Sequence, residues 1–156
     1  MRVLDIIHGS IVDGEGLRTS IYFAGCKHRC KGCHNPQSWD FNSGVDMSID
    51  EIFEDIKKNN FNVTYSGGDP LYQNLDDLVA LSKKIHSLGL DIWLYTGFTF
   101  EELLNDSKYN DILENVDVIV DGPFIEEQRD INILFRGSRN QRILKRNNGN
   151  FEEFKN

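Results

Sequence analysis

The chain has 156 residues, 17 of them basic and 25 acidic, which leaves a formal net charge of −8. At 39% hydrophobic and 27% charged, it has the make-up of one soluble globular domain, long enough to bury roughly 70% of the surface its unfolded form exposes. It is too short for a complete eightfold β/α barrel, which takes about 250 residues. The acidic balance argues against a nucleic-acid partner, and no run approaches the roughly 20 apolar residues of a membrane span. Met1 to Gly16 carries Asp5, Asp13 and Glu15 and lacks the apolar core of a signal peptide, so a cytoplasmic location is expected.

Thr19 to Gly25 reads as a strand that runs straight into Cys26, followed by a polar loop from His34 to Asp46. Ser48-Ile-Asp-Glu51 is a capping-box pattern, and Ile49, Ile52, Phe53 and Ile56 follow at helical spacing. Phe61 to Ser66 is a short strand ending in Gly67-Gly68-Asp69-Pro70. Asn74 caps the next helix, whose apolar face is Leu78, Leu81, Ile85 and Leu88, and Gly89 stops it. Ile92 to Tyr95 is a nearly continuous apolar run, as in a strand covered on both faces. Thr99-Phe-Glu-Glu102 opens another helix, and Val116 to Val120 is a strand ending in Asp121-Gly122-Pro123. Strand and helix alternate about four times. That pattern predicts an α/β fold, a short parallel-sheet βα repeat forming one domain over residues 1–156. The polar tail beyond Asn147 is expected to fray.

All three cysteines lie in Cys26-Lys-His-Arg-Cys30-Lys-Gly-Cys33. An odd count of thiols this close makes a poor disulfide framework. Lys27, His28, Arg29 and Lys31 surround them and favour thiolate, the metal-binding form. Three soft ligands on one loop indicate zinc or an iron–sulfur cluster. A closed zinc site takes four ligands, and a cluster held only by thiolates takes four cysteines. Either His28 or His34 completes a Cys3His zinc site, or one metal corner stays open as a reactive metal requires.

The strands end in Gly25-Cys26, Gly67-Gly68-Asp69, Thr96-Gly97 and Asp121-Gly122. In parallel α/β folds these ends share one edge, where ligands bind. Taken singly, each glycine only turns the chain; four such ends, one carrying the cysteines, make a ligand site. Asp69 suits a ligand bearing a cation and polar atoms, such as an amino acid. Asp13-Gly14-Glu15-Gly16 reads as a surface turn, and Asp121 as a ligand or a turn residue. Arg136, Arg139, Arg142, Lys145 and Arg146 form a basic cluster, either a solvated face or a contact for a carboxylate or a partner. His8 and His86 suggest only surface or core roles.

Cys-x3-Cys-x2-Cys after a strand, followed by Gly-Gly-acidic-Pro, resembles the radical S-adenosylmethionine enzymes. Asp13 to Arg18, Cys33 to Pro36, Ser66 to Leu71, Trp93 to Gly97, Val120 to Phe124 and Arg136 to Gln141 are similar to segments of one subfamily. Its members activate anaerobic (class III) ribonucleoside-triphosphate reductase. Gly32 and Asp69 depart from the aromatic and the glutamate common in the wider superfamily, and match this subfamily.

The resemblance implies a partial, open TIM-like barrel. It implies a [4Fe–4S] cluster with Cys26, Cys30 and Cys33 on three irons and S-adenosylmethionine on the fourth. Gly67, Gly68 and Asp69 would receive the methionyl ammonium, and the backbone at Gly32, Cys33 and His34 would face the adenosyl part. Reductive cleavage would give a 5′-deoxyadenosyl radical that takes hydrogen from a glycine of the reductase large subunit. The electron would come from a low-potential donor such as a flavodoxin. The alternatives are an activase of another glycyl-radical enzyme, of the pyruvate formate-lyase type; a zinc-stapled binding module; and a small electron carrier, which normally needs a fourth cluster ligand.

Overall fold

The computed structural model describes residues 1–155. In chain order the elements are β1 (Arg2–Ser10), β2 (Arg18–Phe23), β3 (Val45–Asp46), α1 (Ile49–Lys57), β4 (Asn62–Gly67), α2 (Leu75–Ser87), β5 (Ile92–Tyr95), α3 (Phe100–Leu104), α4 (Asn110–Glu114), β6 (Val118–Asp121), β7 (Arg142–Asn147) and β8 (Asn150–Phe154). The strands form one eight-stranded sheet in the order β3-β1-β2-β4-β5-β6-β7-β8.

The centre, β2-β4-β5-β6, is parallel. Here the helical periods provide the crossovers that parallel strands require. Both capping boxes form: Ser48 accepts from the Glu51 amide at the start of α1, and Thr99 from the Glu102 amide at the start of α3. Asn74 caps α2 in the same way.

The expectation of a purely parallel repeat needs correction: the sheet is mixed. β1 runs antiparallel to both β2 and β3, and β7 is antiparallel to β6 and β8. Only residues 11–17 join β1 to β2, and only Asn148 and Gly149 join β7 to β8. Neither link is long enough for a parallel crossover. The tail does not fray as expected, because residues 150–154 pair with β7 as β8.

Side-chain alternation divides the sheet into two unlike faces. Ile21, Phe23, Val63, Tyr65, Ile92, Leu94, Ile119 and Leu144 point to one face, where Ile52, Ile56, Leu78, Leu81 and Ile85 of α1 and α2 meet them in the main core. The other face presents Arg18, Ser20, Thr64, Trp93, Tyr95, Val118 and Val120. Two irregular segments cover it in place of helices. In the first, Asp13 is not the surface-turn residue its sequence suggests. It is 8% exposed, accepts from Ser10 Oγ at 2.7 Å and Ser20 Oγ at 2.5 Å, and is within hydrogen-bond reach of Tyr22 OH at 3.1 Å. Beside it Arg18 is completely buried. It donates to Thr64 Oγ1 at 2.8 Å, the Val63 carbonyl at 2.7 Å and Asp91 Oδ1 at 2.5 Å, and its guanidinium lies 5.5 Å from the Trp93 ring. In the second segment the Phe135 carbonyl accepts from Tyr95 OH at 2.7 Å.

Three residues of the basic cluster near the C-terminus make separate internal contacts. Arg142 clamps Asp121 and Glu101, with four nitrogen–oxygen contacts of 2.5–3.1 Å. Lys145 pairs with Glu15, and Arg146 donates to the Val116 carbonyl at 3.0 Å. Asp121 is therefore an ion-pair partner. Among the described residues no helix is long and apolar enough to cross a membrane.

Removing a fully buried, hydrogen-bonded cation has a large effect. Arg18→Ala is expected to lower stability by about 3 kcal/mol, because it removes the donors to Thr64 Oγ1, the Val63 carbonyl and Asp91 and leaves a void beside Trp93. Urea denaturation with an unchanged midpoint would contradict this.

Candidate functional site

The four parallel strands end on one edge, and their ends close on one another through the backbone. The Gly68 amide donates to the Phe23 carbonyl at 2.8 Å and the Asp69 amide to the Gly25 carbonyl at 2.9 Å. The Gly25 amide donates to Ser38, and that of Thr96 to Val120. These approaches require glycine. A Cβ on Gly67, which has φ +105°, would lie 2.3 Å from the Phe23 nitrogen, and one on Gly68 would lie 2.6 Å from the Gly25 carbonyl oxygen.

Above this edge is a cavity of about 220 Å³, and Cys26, Cys30 and Cys33 all line it. Gly67 and Gly68 come from the end of β4, Tyr95 to Gly97 from the end of β5, and Val120, Gly122 and Phe124 from β6 and its loop. His34 also lines it, exposed, with its ring 5.3 Å from Phe124. Gly137 and Gln141 close one side. Gln141 accepts from the Gly137 amide at 2.8 Å and donates to the Gly122 carbonyl at 3.0 Å, which fastens the crossing segment to the end of β6.

Two expected site residues do not line the cavity. Gly32 is exposed, and a Cβ there would meet the Glu126 carboxylate. Asp69 has no exposed surface, and both of its carboxylate oxygens are occupied. Oδ1 accepts from the Leu71 amide at 3.0 Å. Oδ2 accepts from Thr96 Oγ1 and the Gly97 amide, both at 2.9 Å, and lies 2.7 Å from His28 Nε2. The carboxylate is a joint beneath the cavity and does not present itself to a ligand's ammonium group.

The basic side chains around the thiols are also engaged elsewhere. Lys27 lies over the Phe41 and Tyr72 rings, Arg29 over Trp39, and Lys31 is 3.8 Å from Glu126. Burial therefore dominates at Cys26 and pushes its thiol up to about 11, although the backbone amides of His28 and Arg29 pull the other way. The expected thiolate bias is absent at this cysteine, and a metal must displace its proton to bind.

The donor set fits a metal cluster. All three cysteines are free, they share one cavity, and glycine backbone faces them. Among the described residues no three His, Cys, Asp or Glu side chains converge as ligands of a single ion. His28, one of the two candidates for completing a zinc site, is bound to Asp69. Tyr95 and Gln141 were not named as site residues from sequence; Tyr95 directly precedes the Thr96-Gly97 strand end that was.

An α/β sheet with a three-cysteine loop and glycine turns on its carboxyl edge defines an iron–sulfur enzyme site. The 4Fe-4S single cluster domain model matches residues 12–144. The chain is 37% identical over 152 residues to the anaerobic ribonucleoside-triphosphate reductase-activating protein of Haemophilus influenzae, covering 92% of this chain and 97% of that protein. It is 35% identical to the namesake proteins of Escherichia coli K12, over 84% of this chain and 90% of that one, and of phage T4, over 88% and 90%. Among solved structures, that of QueE from Escherichia coli superposes with a TM-score of 0.52 at 16% identity, covering 63% of this chain and 52% of the other. The chain belongs to the family of anaerobic ribonucleoside-triphosphate reductase-activating proteins, which are radical S-adenosylmethionine enzymes.

Overpacking tests the cavity floor. Gly68→Ala drives a methyl group into the Gly25 and Ser38 carbonyls, which are backbone and cannot rotate away. The variant is expected to lose about 2 kcal/mol of stability and its capacity for iron together, as read by thermal melting and iron content.

Proposed function

We propose that the protein activates an anaerobic ribonucleoside-triphosphate reductase, with Cys26, Cys30 and Cys33 each holding one iron of a [4Fe–4S] cluster. The observation that carries this reading is the triad itself: three thiols on one cavity wall and no fourth cysteine in the chain. Cys26, Cys30 and Cys33 would hold the cluster and, with no fourth cysteine, would leave a place on it for the amino-acid end of S-adenosylmethionine. When bound, the cluster would supply the electron for reductive cleavage of that cofactor, the chemistry that provides a 5′-deoxyadenosyl radical able to take a hydrogen atom from a reductase glycine.

The chain's own residues bind and orient. Carbonyl oxygens at Gly67 and Gly68 accept from the methionyl ammonium, since Asp69 is committed elsewhere. The backbone at Cys33 and His34 faces the adenosyl part, with Gly32 one step removed. Tyr95 is partly buried and its hydroxyl donates to the Phe135 carbonyl; desolvation holds its phenol proton firmly, so it stands as a neutral wall. A low-potential donor of the flavodoxin type supplies the electron in the cytoplasm.

The helix-free face supports the protein-substrate part of this reading. We take it as the inner wall of an open half-barrel, covered only by two loops. Ile11, Val12, Ile131 and Leu134 are 59–83% exposed on those loops. With Tyr95 they border a cleft, and Tyr95 also lines the cysteine cavity. A reductase segment entering there would bring its backbone to the cofactor without threading a closed ring.

Three measurements test the proposal. Anaerobically reconstituted protein with dithionite and S-adenosylmethionine is expected to release 5′-deoxyadenosine and to install a glycyl radical, seen by electron paramagnetic resonance, in added reductase. No product from a four-iron protein would refute the reading. Cys30→Ala is expected to abolish the cluster, and a full redox-active cluster in that variant would remove Cys30 from the ligand set. Ile131→Asp is expected to raise the reductase concentration needed for half-maximal activation about tenfold while leaving reductase-independent cofactor cleavage intact. Equal loss of both would place Ile131 outside the docking surface.

A further inference from the structure

We propose that the outer side of the cysteine loop, where Lys27, Arg29 and Lys31 stand on a shelf of Trp39, Phe41 and Tyr72, is the docking surface for the electron donor, and that this donor is a protein with an acidic surface around its redox group. The proposal rests on the reading that the cysteines hold a redox-active cluster. The step it serves is electron transfer alone: the donor is oxidised by one electron, the bound cluster is reduced by one, and no bond forms or breaks.

The charge distribution is uneven. The chain carries 25 acidic residues against 17 basic ones, yet no acidic residue falls between Glu15 and Asp40. Within that stretch Lys27, Arg29 and Lys31 are all exposed. The cavity is lined by Cys26, Cys30 and Cys33 but by none of these three cations, which therefore occupy the loop's outer side. Neighbouring acids offset them only in part. Glu126 is 3.8 Å from Lys31, and Asp40 Oδ1 accepts from the Asn42 amide at 2.8 Å. A local positive surface on a net negative protein attracts a negative partner and orients it, because the rest of the protein repels that partner.

The cations are held in place without being neutralised. The Lys27 ammonium lies 5.8 Å from the centre of the Phe41 ring and 5.9 Å from that of Tyr72, and the Arg29 guanidinium lies 5.4 Å from that of Trp39. A ring face steadies a cation and leaves its charge in place. Phe41 is 39% exposed, and its ring packs so closely on Gly25 that a Cβ there would be 2.5 Å away. Aromatic rings beside arginine are the residue types that carry most of the binding energy in protein interfaces. Trp39 also lines the cysteine cavity, so one side chain borders both the surface and the site. A donor seated on this shelf meets the loop from outside. The cavity and the cleft at Tyr95 stay free for the cofactor and the reductase, and donor and substrate need not exchange places.

The test mixes reconstituted holoprotein with a reduced flavodoxin of net negative charge and follows bleaching of the cluster by stopped flow. Two negative proteins that met through their overall charge would react faster as salt screened their repulsion. Docking on the basic shelf predicts the opposite, a rate that falls between about 50 and about 300 mM salt. The double variant Lys27→Glu/Lys31→Glu is expected to raise the donor concentration for half-maximal rate about tenfold, with iron content and full reduction by dithionite unchanged. Lys58→Glu/Lys83→Glu, the same charge change at the end of α1 and on α2, is expected to behave as the parent. A parent rate that rises with salt would overturn the proposal, and so would equal losses in both double variants. A Lys27→Glu/Lys31→Glu protein that takes electrons normally but needs more reductase for activation would also overturn it and assign the surface to the reductase. If that variant loses iron, Lys31→Gln is read in its place, with a shift of about threefold expected and none overturning the proposal. A parent protein that assembles no four-iron cluster would instead overturn the reading of the cysteines.

Discussion

A carboxylate shut away from water must find donors for its lone pairs inside the protein, because burying it unpaired costs several kcal/mol. Asp69 finds four, from Leu71, His28, Thr96 and Gly97, which belong to three different strand-end loops. Beyond one 3-10 turn at Pro70–Tyr72 those loops have little regular structure to hold them, yet they border one cavity. The cysteine loop keeps its place because His28 reaches the same oxygen as the end of β5. An acidic residue after paired glycines looks from sequence like a contact for a cationic ligand; here it fixes the parts that make the contacts.

The sheet shows the same logic on a larger scale. One face is ordinary α/β packing, with two amphipathic helices on aliphatic side chains. The other is polar near the cavity and has no helices to cover it. Arg18 and Asp13 make that face possible. Each is almost fully buried, each is fully hydrogen-bonded, and together they bind the 11–17 loop to β2 and β4. A covering made of loops is thinner than one made of helices, and it leaves Tyr95 shared between the cysteine cavity and an outer cleft.

Legibility from sequence followed the range of the interactions. The caps at Ser48, Asn74 and Thr99 depend on contacts within four residues, and local pattern revealed them; the parallel centre pairs residues far apart in the chain but showed through the alternation of strand and helix. The three cysteines and the glycine-marked strand ends located the cavity because ligand chemistry needs those residue types. The antiparallel flanks were hidden. β1 carries His8, Gly9 and Ser10 at its end, and β7 reads as a run of basic residues until Asp121, Glu101 and Glu15 are placed opposite them. The direction of the Asp69 carboxylate was equally hidden, since its partners lie 27 and 41 residues away along the chain.

From β2 onward, strand order in the sheet is also the order of synthesis: β2, β4, β5, β6, β7, β8. Apart from β3, which adds to β1 at the other edge, each new strand docks beside the last of this series, and no later segment has to slip between two already paired. Residues 26–33 therefore emerge long before Gly137 and Gln141, which close the cavity last. A growing chain passes through a stage at which the three thiols stand on a formed edge with no wall opposite. Iron and sulfide delivered at that stage have a broader approach than the finished cavity allows.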